Sequence, residues 1–300
     1  MNASLPNGLQ ASLFGTRQRL HVQHGPTDLV IDANGVERLA LFEVAVDSMR
    51  DVLTGLADEL PSLRAPWQAE QAFSGPVARR MQDACALAGD RFVTPMAAVA
   101  GAIADHVLAA MMASRHAATA TKISVNNGGD IAFWTSNGAI TRAAIAGPHN
   151  AGITLRGSTS WRGMATSGQG GRSLSPGIAD SVTVLADCAA NADVVATLIA
   201  GAVDCPGVAG IDRLPAHDID PSSDLGSRLV TVAVPPLDAS QIDTALTAGR
   251  TLATQLIAYR YIAGAVIELQ GKITVVGLDD PAARLTTTRD PDGNSIARED

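Results

Sequence analysis

Three hundred residues, 46% of them hydrophobic and 17% charged, suffice to bury a sizeable core in one large domain or two closely packed lobes. A formal net charge of −8 and only 3% aromatic residues leave neither the basic face nor the stacking surface that a nucleic-acid partner requires. Three widely spaced cysteines (Cys85, Cys188, Cys205), the absence of a basic-then-apolar leader and the lack of a long charge-free apolar run set the expectation of a cytoplasmic protein with no membrane partner.

Residues 19–24 alternate polar and apolar side chains, and residues 27–32 are rich in β-formers. Gly25-Pro26 between them predicts a hairpin, with a second turn at Asn34-Gly35. His21 and His24 read as polar positions on an edge strand. Residues 44–60 carry apolar side chains at helical spacing, and Pro61 is expected to end that helix. A loop over 62–76 and a second helix over 77–88 follow. Thr94-Pro95 then opens a long helix over 96–114, whose Ala- and Gly-rich core permits close approach by a neighbour. Asp105 lies on that helix and is expected near solvent.

Residues 123–132 read as a strand, a Gly128-Gly129 turn and a second strand. Short strands around Gly147-Pro148 are expected over 139–156, with His149 a loop residue. Residues 162–172 read as a small-residue loop. Its Thr166, Ser167, Gly168, Gln169, Gly170 and Gly171 can expose backbone N–H groups, and together with Arg172 they suit an anion. A strand over 181–186 and a helix over 192–203 come next. Asp193 and Thr197 stand four residues apart, so both oxygens point one way from the helix, an arrangement that suits a hard cation such as Mg2+. Spacing alone equally allows an Asp favouring a helix N-terminus and a Thr bonding back to a carbonyl.

Residues 205–224 read as a loop, with His217 and Asp218 serving surface turns. A strand over 229–234, a helix over 239–258 and two strands over 262–269 and 273–276 complete the chain. Residues 1–285 are expected to form one α+β domain, and 286–300 a polar tail. No Rossmann glycine fingerprint occurs.

Three motifs in this order resemble the ApbE-type flavin transferases, Mg2+-dependent enzymes that move FMN from FAD onto a Thr or Ser of a target protein. They are Asn126-x-Gly128-Gly129-Asp130-Ile131, then Ala165-Thr166-Ser167-Gly168, then the 181–184 strand followed by Ala192-Asp193-x-x-Ala196-Thr197. The resemblance covers about residues 93–203. It implies an ApbE-like, T-fold-like α+β fold of mixed sheets with packed small-residue helices. It also implies a flavin nucleotide at the Asn126–Asp130 turn and Mg2+ at Asp193 and Thr197. Gly101 and Asp105 match a Lys-Gly-Tyr-Ala-Val-Asp helix of that family, whose Lys is Ala100 here, and the match implies Asp105 as a ligand-binding residue. A family segment His-Ile-x-Asp-Pro is replaced by Ser173-Leu174-Ser175-Pro176-Gly177-Ile178, and no flavinylation acceptor segment is present. A narrower family at the edge of the superfamily is resembled at Thr27-Asp28-Leu29-Val30-Ile31, Pro95–Gly101, Ser167–Ser173 and Asp224–Thr231. The functional expectation is a Mg2+-dependent protein binding FAD or FMN, an enzyme that transfers FMN or cleaves the pyrophosphate of the dinucleotide. An enzyme of small anionic metabolites and a non-catalytic flavin-binding accessory are the alternatives. Ala- and Gly-rich helix faces set the further expectation of a homodimer.

Overall fold

Asp238 and Gln241 show how local chemistry sets an element of this fold. The Gln241 N–H donates to the Asp238 carboxylate over 2.9 Å, and the Asp238 N–H donates back to the Gln241 side chain over 2.9 Å. This capping box starts a 20-residue helix where the sequence places it, at Ala239–Ala258. The computed structural model describes residues 2–4, 8–16, 18–145, 151–171 and 173–287.

In chain order the first strands are β1 (Asn2–Ser4), β2 (Gln10–Phe14), β3 (Arg19–His24) and β4 (Thr27–Ala33). Helices α1 (Arg38–Ser48), α2 (Val52–Leu63) and α3 (Pro76–Cys85) follow, then α4 (Val99–Ala113), entered through a 3-10 turn at Pro95–Ala98. Next come β5 (Lys122–Asn127), β6 (Asp130–Thr135), β7 (Ile140–Ala144), β8 (Ala151–Arg156), β9 (Gly163–Ser167), β10 (Ser181–Ala186) and α5 (Ala189–Ala202). The chain closes with β11 (Asp212–Pro215), α6 (Ala216–Ile219), β12 (Leu229–Ala233), α7 (Ala239–Ala258), β13 (Ile262–Leu269), β14 (Lys272–Gly277) and β15 (Ala283–Thr287).

Ten strands join in one sheet, in the order β1-β2-β3-β4-β5-β6-β9-β10-β13-β14. Every pairing among the described residues is antiparallel, so the α+β class holds while the expected mixture of strand directions does not appear. Period-two alternation sorts the side chains of the central strands. Ala132, Ala165, Val184 and Ala265 face the helices, while Phe133, Met164, Leu185 and Val266 face the small sheet β15-β8-β7 on the other side.

The helical layer is built on small residues. Helix α5 buries Ala189, Ala190, Ala192, Ala196 and Ala200, and this lets α4 lie against it backbone to backbone. A Cβ at Gly101 would stand 2.3 Å from the Ala189 carbonyl oxygen, so no other residue type fits that position without moving a helix. The stretch Pro95–Ala113 is long and apolar enough to cross a membrane, yet half of it is buried inside the protein among α1, α3, α5, β5 and β6.

Several expectations change. The helix expected over 44–60 is two helices, α1 and α2, and Pro61 lies inside the last turn of α2, with Leu63 beyond it fully buried. The 162–172 loop contains β9, where pairing to β6 and β10 on both sides overrides the loop-like composition. The 205–224 loop contains β11 and α6. The tail expected from 286 starts too early, since β15 pairs with β8 through Thr287. His149 and residues 288–300 lie outside the described residues.

Candidate functional site

Helices α4 and α5 cap one another. Neither N-cap residue, Ala98 or Cys188, caps its helix with its side chain. Instead Asp105 of α4 accepts the Ala189 and Ala190 N–H groups of α5 over 3.0 and 2.8 Å. In return Asp193 of α5 accepts the Gly101 N–H of α4 over 3.0 Å. Each carboxylate thus satisfies orphan donors at the other helix's positive end.

The two carboxylates differ in what lies beyond them. Asp105 is 8% exposed and has both oxygens occupied by backbone N–H groups. Burial pushes its carboxyl up, against the lowering effect of those N–H groups and of Arg80. The expectation of a place near solvent gives way to burial, and both oxygens cap α5. Asp193 lines a cavity of about 340 Å³. It keeps partial exposure through that opening, while its carboxyl is otherwise enclosed by protein. Burial raises the Asp193 carboxyl well above the usual carboxylate range, the charge of Asp130 raises it further, and the Gly101 N–H opposes both.

Asp130 begins β6 at the end of the Asn126–Asp130 turn. The Gly129 N–H donates to the Asn126 side chain over 2.8 Å, with Gly128 and Gly129 at φ of 67° and 121°. Asn127, 6% exposed, donates to the Ala100 carbonyl over 3.1 Å and so fastens the turn to the first turn of α4. The Thr166 N–H of β9 donates to Asp130 over 3.2 Å, and the Thr166 and Thr183 hydroxyls pair at 2.8 Å. Two elements distant in sequence, β6 and α5, thereby bring Asp130, Asp193 and Thr197 to the wall of one cavity. Arg64, Asp220 and Asp224 also line it. These are residues for which the sequence carried no chemical signal.

The glycine-rich stretch is arranged differently from the expected anion cradle. The Gln169, Gly170 and Gly171 N–H groups donate to the carbonyls of Ala179, Asp180 and Gly168, at 2.8, 3.1 and 3.2 Å. Ser167 is buried in β9, 7% exposed. Gly168 through Gly171 therefore shape a turn with those three donors already engaged. Arg172 lies outside the described residues. Among the described residues no three His, Cys, Asp or Glu side chains converge as a ready metal cage. His217 and Asp218 form an exposed pair at 3.2 Å, and His21 pairs with Asp28 across β3 and β4 at 2.8 Å.

A second cavity, of about 520 Å³, adjoins the first. The two share Ala97, Leu174, Thr197, Asp224 and Leu225 as a common wall. At that wall the Thr94 hydroxyl donates to the Asp224 carboxylate.

The family model described as AbpE bacteria matches residues 11–275. A UPF0280 protein of Methanopyrus kandleri is 32% identical over 180 residues, 58% of this chain and 69% of the relative. UPF0280 proteins of Methanococcoides burtonii and Methanothermobacter thermautotrophicus are 38% identical over 113 residues and 37% over 137. Those matches span 37% and 44% of this chain, and about half of each relative, 46% and 50%. Among solved structures, the flavin transferase ApbE from Vibrio cholerae aligns at a TM-score of 0.42 and 13% identity, over 93% of this chain and 97% of that one. The apo flavinyl transferase ApbE of Pseudomonas stutzeri aligns at 0.41 and 14%, over 94% and 95%.

Proposed function

The chain belongs to the AbpE bacteria family, and on that premise we propose that it binds a flavin nucleotide, FAD or FMN, through a Mg2+ ion held by Asp193 and Thr197 with Asp130 beside them. The observation that carries this reading is the pair Asp130 and Asp193 on one cavity wall, where the charge of the first and burial of the second raise the Asp193 carboxyl. Two carboxylates on one wall repel, and a divalent cation bound there would turn that repulsion into attraction. Thr197, one turn along α5, adds a neutral oxygen on the same wall.

The donor set fits Mg2+ better than a softer metal. It is all oxygen, and with no full protein cage among the described residues an ion held there would take waters and ligand oxygens as well, as Mg2+ habitually does. When bound, the ion supplies a Lewis acid to a phosphate oxygen. The chain's own residues do the rest. The Gly101 N–H and the Asp105 cap fix α4 against α5 and so fix the Asp193 carboxylate. The Thr166 N–H orients Asp130, and the Asn126 turn delivers it to the cavity. Arg64 is the one guanidinium lining the cavity among the described residues; its charge acts on Asp220, and it would be the cation available to the anionic end of a ligand. Calorimetric titration of FAD with and without Mg2+, on the native chain and on Asp193→Asn, tests the reading.

A further inference from the structure

We propose that the 520 Å³ cavity is a separate binding site for an apolar monocarboxylate, an acyl or aryl acid, and acts independently of the metal. Its composition is opposite to that of its neighbour. Among the described residues, the 340 Å³ chamber carries four carboxylates, Asp130, Asp193, Asp220 and Asp224, against the single guanidinium of Arg64. The larger chamber carries two guanidiniums, Arg91 and Arg228, against Asp224 alone. That single carboxylate already accepts the Thr94 hydroxyl. Among the described residues, the balance of charge therefore favours an anion without a metal ion on the larger side of the shared wall.

The rest of the lining is apolar. Leu198, Val230 and Leu252 supply aliphatic surface, and Gly201 and Ala202 leave room on the α5 side. The volume lies within the range of small-molecule pockets, roughly 300–1,000 Å³. Arg228 is set in place before any ligand arrives, because its guanidinium stacks 3.3 Å from the centroid of the Phe92 ring. Among the described residues it forms no ion pair, so its planar fork is open to a bidentate carboxylate. Among the described residues the Arg91 guanidinium donates to the Gln255 side-chain oxygen, at 3.4 Å, and forms no ion pair. An apolar body with one anionic end matches this lining, whereas a polyanion gains nothing from the aliphatic wall.

The experiment is calorimetric titration of octanoate and of octan-1-ol into the full chain, in EDTA and in Mg2+. Octanoate is expected to bind one per chain, equally in both buffers, and at least about tenfold more tightly than octan-1-ol. Arg228→Gln, a change at an exposed rim position, should weaken octanoate about tenfold and leave octan-1-ol unchanged. Ala202→Trp, which fills the chamber, should abolish both, with circular dichroism confirming the fold. Equal affinity for acid and alcohol, an unaltered Arg228→Gln, or displacement of octanoate by FAD would overturn the proposal. Failure of FAD to bind would sink the flavin reading and leave this one standing.

Discussion

The Gly101 amide donates to the Asp193 carboxylate over 3.0 Å, and this bond, with a second from the Ala100 backbone, joins the start of α4 to the cavity wall. It places Asp193 by backbone geometry, which no side-chain rotation of α4 can undo. The same closeness makes Gly101 intolerant of change.

Gly101→Ala would put a Cβ 2.3 Å from the Ala189 oxygen and 2.5 Å from its carbonyl carbon. Both are backbone atoms, so a helix must move. Overpacking of this kind costs about 1–3 kcal/mol or more. Chemical denaturation should show at least that loss, and Asp193 should be displaced from the cavity wall. A variant as stable as the native chain would show that α4 and α5 can slide apart freely.

Asp105→Ala should destabilise through α5. It leaves the Ala189 and Ala190 N–H groups buried without their acceptor, at a cost of about 1–3 kcal/mol for each unsatisfied donor. Hydrogen exchange should speed up first at the start of α5. Unchanged protection there would mean that water or another side chain replaces the cap.

Local sequence pattern sets an element only where tertiary pairing does not decide it. Helix α7, the β3–β4 hairpin and the Asn126–Asp130 turn follow from residues close in sequence, and each lies where local pattern puts it. Strand β9 does not. Gly163-Met164-Ala165-Thr166-Ser167 has the composition of a loop, and its strand exists because β6 and β10 pair with it from both sides. Asp193 and Thr197 were legible as an i, i+4 pair on one face. The role of Asp105 was not, because an acceptor for α5 comes from a helix 84 positions earlier. Nor was the occupancy of the Gln169–Gly171 donors by Ala179, Asp180 and Gly168, since a glycine-rich segment reads the same whether it cradles an anion or closes a turn.

Cys85 should resist alkylation. Burial first, then the charge of Asp193, pushes its thiol up to about 12, and burial raises Cys188 further still. The thiolate is the reactive form, and at pH 8 only about one part in ten thousand of a thiol with that value is ionised. Iodoacetamide at pH 8 should leave Cys85 and Cys188 unlabelled by mass spectrometry until denaturant is added. The linked stability change has a definite sign. The folded thiol keeps a proton that the unfolded one releases, so stability falls as pH rises from about 9 towards 12. Rapid labelling of Cys85 in the native protein would contradict its burial.

Titration of FAD into the native chain and into Asp193→Asn, each in Mg2+ and in EDTA, tests the central claim most directly. The native chain should bind FAD at least about tenfold more tightly with Mg2+ than with EDTA, and Asp193→Asn should erase that difference. The amide oxygen that this substitution introduces can still accept the Gly101 N–H, so the helix pair stays in place and the comparison isolates the charge. No FAD binding in either buffer, or a Mg2+ effect that survives the substitution, would contradict the assignment of Asp193 to the metal.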